Sequence, residues 1–142
     1  MHELKFKQLK PNEKKLIAAA IKAQKMAYAP YSKFKVGSVV EDSDGGVHSG
    51  CNVENASYSV VTCAERVAIG KMVSVGERKI RTVVVVTSSK DPVFPCGVCL
   101  QVIGEFGVES RILAVGAKGN RVVQAKFLEL MPEHFSSADM KE

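Results

Sequence analysis

Residues 81–87 read "RTVVVVT". Four consecutive valines leave no polar alternation, so the run is expected to form a strand covered on both faces. Such a strand needs a layer of structure on either side. Upstream, "FKVGSVVE" (residues 34–41) reads as a strand, "DSDGG" (42–46) as a tight turn and "VHSGCNVEN" (47–55) as its hairpin partner. A helix is expected from about Cys63 to Val75, with Gly76 as its stop. Downstream, "SSKDPVFP" (88–95) is a loop and a helix follows from about Gly97 to Phe106. "RILAVGAKGNRVVQA" (111–125) reads as two short strands, and "KFLELM" (126–131) as a last short helix. Near the N-terminus Pro11-Asn12-Glu13 opens a helix carrying Leu16, Ile17, Ala20, Ile21 and Tyr28 on one side, stopped by Pro30. Helices interleaved with strands imply a three-layer α/β/α sandwich. Its central sheet is mixed and about five-stranded, in one domain over residues 1–142.

Composition narrows the functional classes. The chain has 142 residues, 46% apolar and 25% charged, with 20 basic and 15 acidic side chains. The lysines are scattered, densest at Lys5, Lys7, Lys10, Lys14 and Lys15, with no interleaved aromatics and no tryptophan. That pattern is a solvated face rather than a nucleic-acid surface. No apolar run is long enough to span a bilayer, and the N-terminal region shows no cleavage pattern, so a cytoplasmic location is expected. In that compartment thiols stay reduced, and the four cysteines point to metal or catalysis rather than disulfides.

Cys96-Gly97-Val98-Cys99 is a CxxC that opens a helix behind Pro95. Residues three apart on a helix share a face, so both sulfurs can reach one ion. The motif alone does not separate a metal site from a redox pair. The three histidines, His2, His48 and His134, have no ligand spacing relative to one another. A tetrahedral zinc here takes its third ligand from Cys63 or Cys51; three protein ligands mark a catalytic site and four a structural one. In "GCNVEN" alternate side chains share a face, so a pocket lined by Asn52 and Glu54 leaves Cys51 pointing away, as a buried, inert thiol. Cys63 stands at a helix start, where backbone N–H groups stabilise a thiolate.

Glu65 follows Cys63 by two positions, which diverge by about 200° on a regular helix. Both can face one metal only if Cys63 sits at the N-cap. Glu65 is then a carboxylate beside the metal without being a ligand, the arrangement needed to take a proton from water and return it to a leaving group. Arg66 lies three residues after Cys63 and near it on one helix face. Three thiolates and a divalent zinc sum to one negative charge, which a guanidinium there offsets.

Together, "YAPYSKFKVG", "NVENASY", "CAERVAI", "PCGVC" and "LMPEHF" resemble the cytidine deaminase family, in its small, three-cysteine, homotetrameric branch. Family deaminases of this chemical class pair a zinc-activated water with a non-ligand glutamate. The resemblance covers nearly the whole chain. It implies one zinc per subunit on Cys63, Cys96 and Cys99, and Glu65 as proton shuttle. It further implies that Asn52 and Glu54 bind the ribose, that Phe34 stacks on the pyrimidine and that backbone around Ala64 holds the base. Tyr31, Tyr58 and Phe135 match family positions near the site, some reaching across subunit interfaces. The implied reaction is hydrolytic deamination of cytidine and 2′-deoxycytidine, with no membrane or nucleic-acid partner. Rival readings are a deaminase of aminoacyl-nucleoside antibiotics of the blasticidin type, an RNA- or DNA-editing deaminase and a non-enzymatic module that binds zinc through all four cysteines. Two departures from the family pattern stand out: "SVVT" between Tyr58 and Cys63, and Leu100 where relatives carry arginine after the second cysteine of the pair.

Overall fold

The computed structural model describes residues 1–141. Along the chain run β1 (His2–Leu4), α1 (Pro11–Gln24), β2 (Val36–Asp42), β3 (Val47–Cys51), α2 (Ala64–Ser74) and β4 (Ile80–Thr87). Then come α3 (Gly97–Phe106), β5 (Arg111–Val115), β6 (Val122–Lys126) and α4 (Phe127–Leu130). The strands form one mixed sheet in the order β1-β6-β5-β4-β2-β3, with β4 and β5 parallel and every other pair antiparallel.

The valine run sits near the centre, as β4. Val84 and Val86 join Leu16, Ile17 and Ala20 of α1 in one apolar layer. Val83 and Val85 join Ala68, Ile69 and Met72 of α2 and Ile103 of α3 in the other. Period-two alternation thus sends neighbouring valines to opposite cores, and burial of both layers fixes the register. Two glycines set how closely helices approach. A Cβ on Gly37 of β2 would lie 2.1 Å from the Ala20 carbonyl oxygen of α1. A Cβ on Gly50 of β3 would lie 2.5 Å from the Ala64 carbonyl oxygen of α2. The second contact seats the start of α2, where the thiol and carboxylate of "CAER" stand.

Three sequence expectations change. The sheet has six strands rather than about five, because His2–Leu4 pairs antiparallel with β6. Three residues between Met1 and Lys5 carry too little alternation to announce a strand. Helix α1 ends at Gln24, so Tyr28 is not on it. Pro30 disfavours helical backbone at the residue before it, and Tyr28 instead bridges to Val53, its N–H donating to the Asn52 carbonyl at 3.0 Å. Cys51 is half-buried rather than buried, because it ends the edge strand β3. The start of α1 behaves as its residues suggest: Pro11 occupies the first turn and the Glu13 carboxylate accepts the Lys10 N–H at 2.8 Å.

Candidate active site

Two helix N-termini build the centre. Cys63 is the N-cap of α2 and Cys96 the N-cap of α3, both with extended backbone (φ −71°, ψ 154° and φ −67°, ψ 167°). Neither side chain caps its own helix by a hydrogen bond, so both thiols are available to each other. Cys99, fully buried, lies one turn into α3. The three sulfurs lie within 4.8 Å of one another, and among the described residues no histidine or fourth cysteine joins them. Cys51 lies in a separate recess with Met26, Val67 and Lys71.

The thiols are strongly unequal. Hydrogen bonding with Cys99, and then with Arg66 and Cys96, lowers Cys63 to about 5. Its counterpart Cys99 is pushed far up by hydrogen bonding to Cys63 and by burial. The crowded sulfurs therefore share protons, an arrangement that a soft divalent cation would resolve. Three thiolate donors and no histidine suit zinc, and leave one place in a four-coordinate shell.

Glu65 is in the first turn of α2 and 4% exposed. Burial pushes its carboxyl pKa up, and the neighbouring Cys63 charge adds to that. It lines a cavity of about 260 Å³ together with Cys63, Ala64 and Cys96, near the lower end of small-molecule sites. Across the same cavity stand Asn52, Glu54 and Phe34. Asn52 and Glu54, two apart beyond β3, are both buried and share that face, with Val53 exposed between them. The Asn52 amide is also structural: Oδ1 accepts the Val36 N–H and Nδ2 donates to the Phe34 carbonyl, each at 2.8 Å. The Glu54 carboxylate is held below its usual range, first by the Ser32 hydroxyl, then by backbone N–H groups.

Arg66 turns back toward Cys63. Its Nη2 donates to the Val61 carbonyl at 2.9 Å, which anchors the guanidinium. Nε is buried without a partner among the described residues. Hydrogen bonding to Cys63 is the largest influence that raises the Arg66 pKa, so thiolate and guanidinium hold each other charged. Leu100 packs into the apolar layer of α2 and α3 and adds no charge beside Cys63.

The remaining expected residues spread out. Tyr31 and Tyr58 meet edge to face, with ring centroids 6.4 Å apart, and line an adjoining recess with Glu54 and Asn55. Tyr58 opens a short 3₁₀ turn, Tyr58–Val60, that leads into the departing "SVVT" segment. Phe135 lies outside the cavity, exposed, and its carbonyl accepts Gln101 Nε2 at 2.8 Å. Sequence reasoning missed several walls of the cavity: Ser32, Val61, Thr87, Val93 and Phe94. Thr87 was legible only as the end of a strand. Val93 and Phe94 sit in a loop whose composition gives no cue to which way it folds.

Comparison with known proteins agrees with this geometry. Residues 10–115 match the family model described as the cytidine and deoxycytidylate deaminase zinc-binding region. The chain is 43% identical over 127 residues to a cytidine deaminase of Sporosarcina psychrophila, covering 89% of this chain and 93% of that one. It superposes on the crystal structure of cytidine deaminase from Burkholderia pseudomallei with a TM-score of 0.81 at 40% identity, covering 86% of this chain and 98% of the other. A blasticidin-S deaminase of Bacillus cereus is more distant, 28% identical over 109 residues, 71% of this chain and 76% of that one.

Proposed function

The chain belongs to the cytidine deaminase family, and from that premise we propose that it hydrolyses cytidine and 2′-deoxycytidine to the corresponding uracil nucleosides and ammonia. The observation that carries this reading is one cavity holding three clustered sulfurs, a buried carboxyl and, opposite them, the Asn52–Glu54 pair. Cys63, Cys96 and Cys99 hold the zinc, one per chain. Bound there, zinc lowers the pKa of water to near neutrality and makes a nucleophile available at physiological pH.

Glu65 does the proton work. Burial raises its pKa, which makes the carboxylate a stronger base than an exposed one, as a group that takes and returns protons needs. Glu65 takes a proton from the attacking water and delivers it to N3 of the pyrimidine as the oxygen adds to C4. It then takes the proton of the new C4 hydroxyl and gives it to the departing amine, and ammonia leaves as the C4 carbonyl forms. Phe34 stacks on the ring and the backbone at Ala64 holds its polar edge. Asn52 and Glu54 take the sugar hydroxyls, so binding energy from the sugar fixes the base over the sulfurs. Arg66 offsets the excess negative charge of three thiolates.

We extend the proposal to a cytoplasmic homotetramer. Tyr28, Tyr31, Val53, Tyr58 and Val60 are all exposed; Tyr31 and Tyr58 line the recess beside the cavity and Tyr28 bridges to Val53, and exposed apolar groups of this kind mark interfaces. Phe135 is exposed and outside the lining of its own chain's cavity, so it is available to a neighbour. Light scattering on the eluting protein tests the assembly: four chains are expected, and a monodisperse monomer would refute it. All four cysteines are free, in keeping with a reducing compartment. Among the described residues no helix is long and apolar enough to cross a membrane.

The four-cysteine structural module does not fit, since Cys51 lies apart from the cluster. A substrate panel tests the proposal: cytidine, 2′-deoxycytidine, cytosine, blasticidin S and a cytosine-containing oligonucleotide. The two nucleosides are expected to dominate; preference for the antibiotic or the oligonucleotide would overturn the reading.

A further inference from the structure

The segment Tyr31–Phe34 is exposed, yet it is tied to the cavity at every step. The Tyr31 and Ser32 N–H groups both donate to Glu54 Oε1, at 3.0 Å each. The Ser32 hydroxyl donates to Oε2 of the same carboxylate. Its oxygen then accepts the Phe34 N–H at 3.0 Å. Between them Lys33 stands at φ 59°, the one non-glycine residue with positive φ among the described residues. A side chain with a Cβ avoids that conformation unless its surroundings impose it, and such outliers gather where function needs them.

These contacts divide the work of the carboxylate. Two amides occupy Oε1, so Oε2 is the oxygen left to face a sugar hydroxyl, and Ser32 sets its direction. A hydroxyl has one proton and two lone pairs. With the proton on Glu54, a lone pair is free for Phe34. One small side chain thus links the group facing the sugar to the ring facing the base.

We propose that Ser32 is a positioning residue that aims Glu54 at the sugar while holding Phe34 in register with it; the proposal rests on the sugar-binding reading of Glu54 given above. Its effect runs mainly through Glu54, because Phe34 keeps its second anchor, the Asn52 amide on its carbonyl. Ser32→Ala therefore matters only for substrates with a 2′- or 3′-hydroxyl to grip.

Steady-state kinetics of the zinc-loaded protein test this with cytidine and 2′,3′-dideoxycytidine, in Ser32→Ala, Ser32→Thr, Glu54→Ala and the Ser32→Ala/Glu54→Ala double variant. Losing one hydrogen bond to a charged group is worth roughly tenfold or more in binding. Ser32→Ala is expected to raise KM for cytidine about tenfold with kcat changed less than about threefold, and to change dideoxycytidine less than about threefold. Ser32→Thr, which keeps the hydroxyl, is expected to stay near wild type. In the Glu54→Ala background, Ser32→Ala is expected to add less than about twofold. Equal losses on both nucleosides, full additivity with Glu54→Ala, or a Thr variant as poor as Ala at normal zinc content would each overturn the proposal. If Glu54→Ala costs cytidine and dideoxycytidine equally, the sugar-binding reading fails and takes the proposal with it. If Glu54→Ala selectively impairs cytidine while Ser32→Ala does not, the role of Ser32 alone is lost.

Discussion

Glu65→Gln is expected to abolish turnover while making the metal-free protein more stable. Glutamine keeps the shape of the side chain but neither takes nor returns a proton. General acid–base groups contribute about 10²–10⁴ each, and the proposed mechanism gives Glu65 at least two transfers. The loss in kcat is therefore expected at or above about 10⁴, or about 5.4 kcal/mol at the transition state. The zinc content should not change, because the carboxylate is not one of the three clustered ligands. The stability gain follows from burial. Glu65 is 4% exposed, and burial raises its pKa, so the folded state binds this proton more tightly than the unfolded chain. The penalty on folding is absent below the ordinary carboxylate range and grows as pH rises through the folded pKa. Glutamine has no charge to desolvate, so the variant is expected to gain about 0.5–2 kcal/mol near neutral pH. The gain should be smaller at about pH 5 than at about pH 8. Single-turnover rates, metal analysis and urea melts of the chelated protein measure these quantities. A zinc-loaded variant that keeps kcat within about tenfold of wild type would refute the assignment of Glu65, whatever its stability.

Other expectations follow from the same geometry. Asn52→Ala removes two backbone anchors and, on the proposed function, a sugar contact; kcat/KM for cytidine should fall far more than any residual use of cytosine, and stability by about 1–3 kcal/mol. Equal losses on nucleoside and base would make Asn52 purely structural. Arg66→Gln withdraws one charge from beside the thiolates; an ion pair of this half-buried side chain is worth about 1 kcal/mol after solvent screening. Competition with a chromophoric chelator should then show roughly fivefold weaker zinc retention, and unchanged retention would remove Arg66 from the site. Gly50→Ala forces a Cβ against backbone atoms of α2, 2.5 Å from the Ala64 oxygen and 2.6 Å from the Ala68 nitrogen. Displacing the start of α2 should lower kcat by about 10² and stability by about 1–3 kcal/mol; kinetics and melts that match wild type would show that β3 and α2 have room to part.

The central layer was legible because valine after valine in β4 can satisfy two cores only from inside a sheet. The metal-binding residues were legible because CxxC at a helix start and a cysteine two residues before a glutamate are local patterns. N-cap geometry then resolves the 200° conflict between Cys63 and Glu65 without any distant contact. What the sequence hid is tertiary. The three residues of β1 are defined by their partner β6 rather than by their own pattern. Tyr28 leaves the helix because Asn52 and Val53, some 25 positions on, offer it backbone pairing. Ser32 looks like any turn serine until Glu54 folds against it, and Phe94 reaches the cavity through a loop with no periodicity. Leu100 reads as an absent arginine in sequence and is a core contact in the fold.

The most direct test of the account is a zinc titration of the metal-free protein with cytidine as substrate, following ammonia release and the absorbance change of the pyrimidine. Activity is expected to rise in proportion to added zinc and to plateau at one zinc per chain, with uridine and ammonia formed in equal amounts. Full turnover in the metal-free protein, or zinc bound at one per chain with no ammonia released from cytidine, would contradict it.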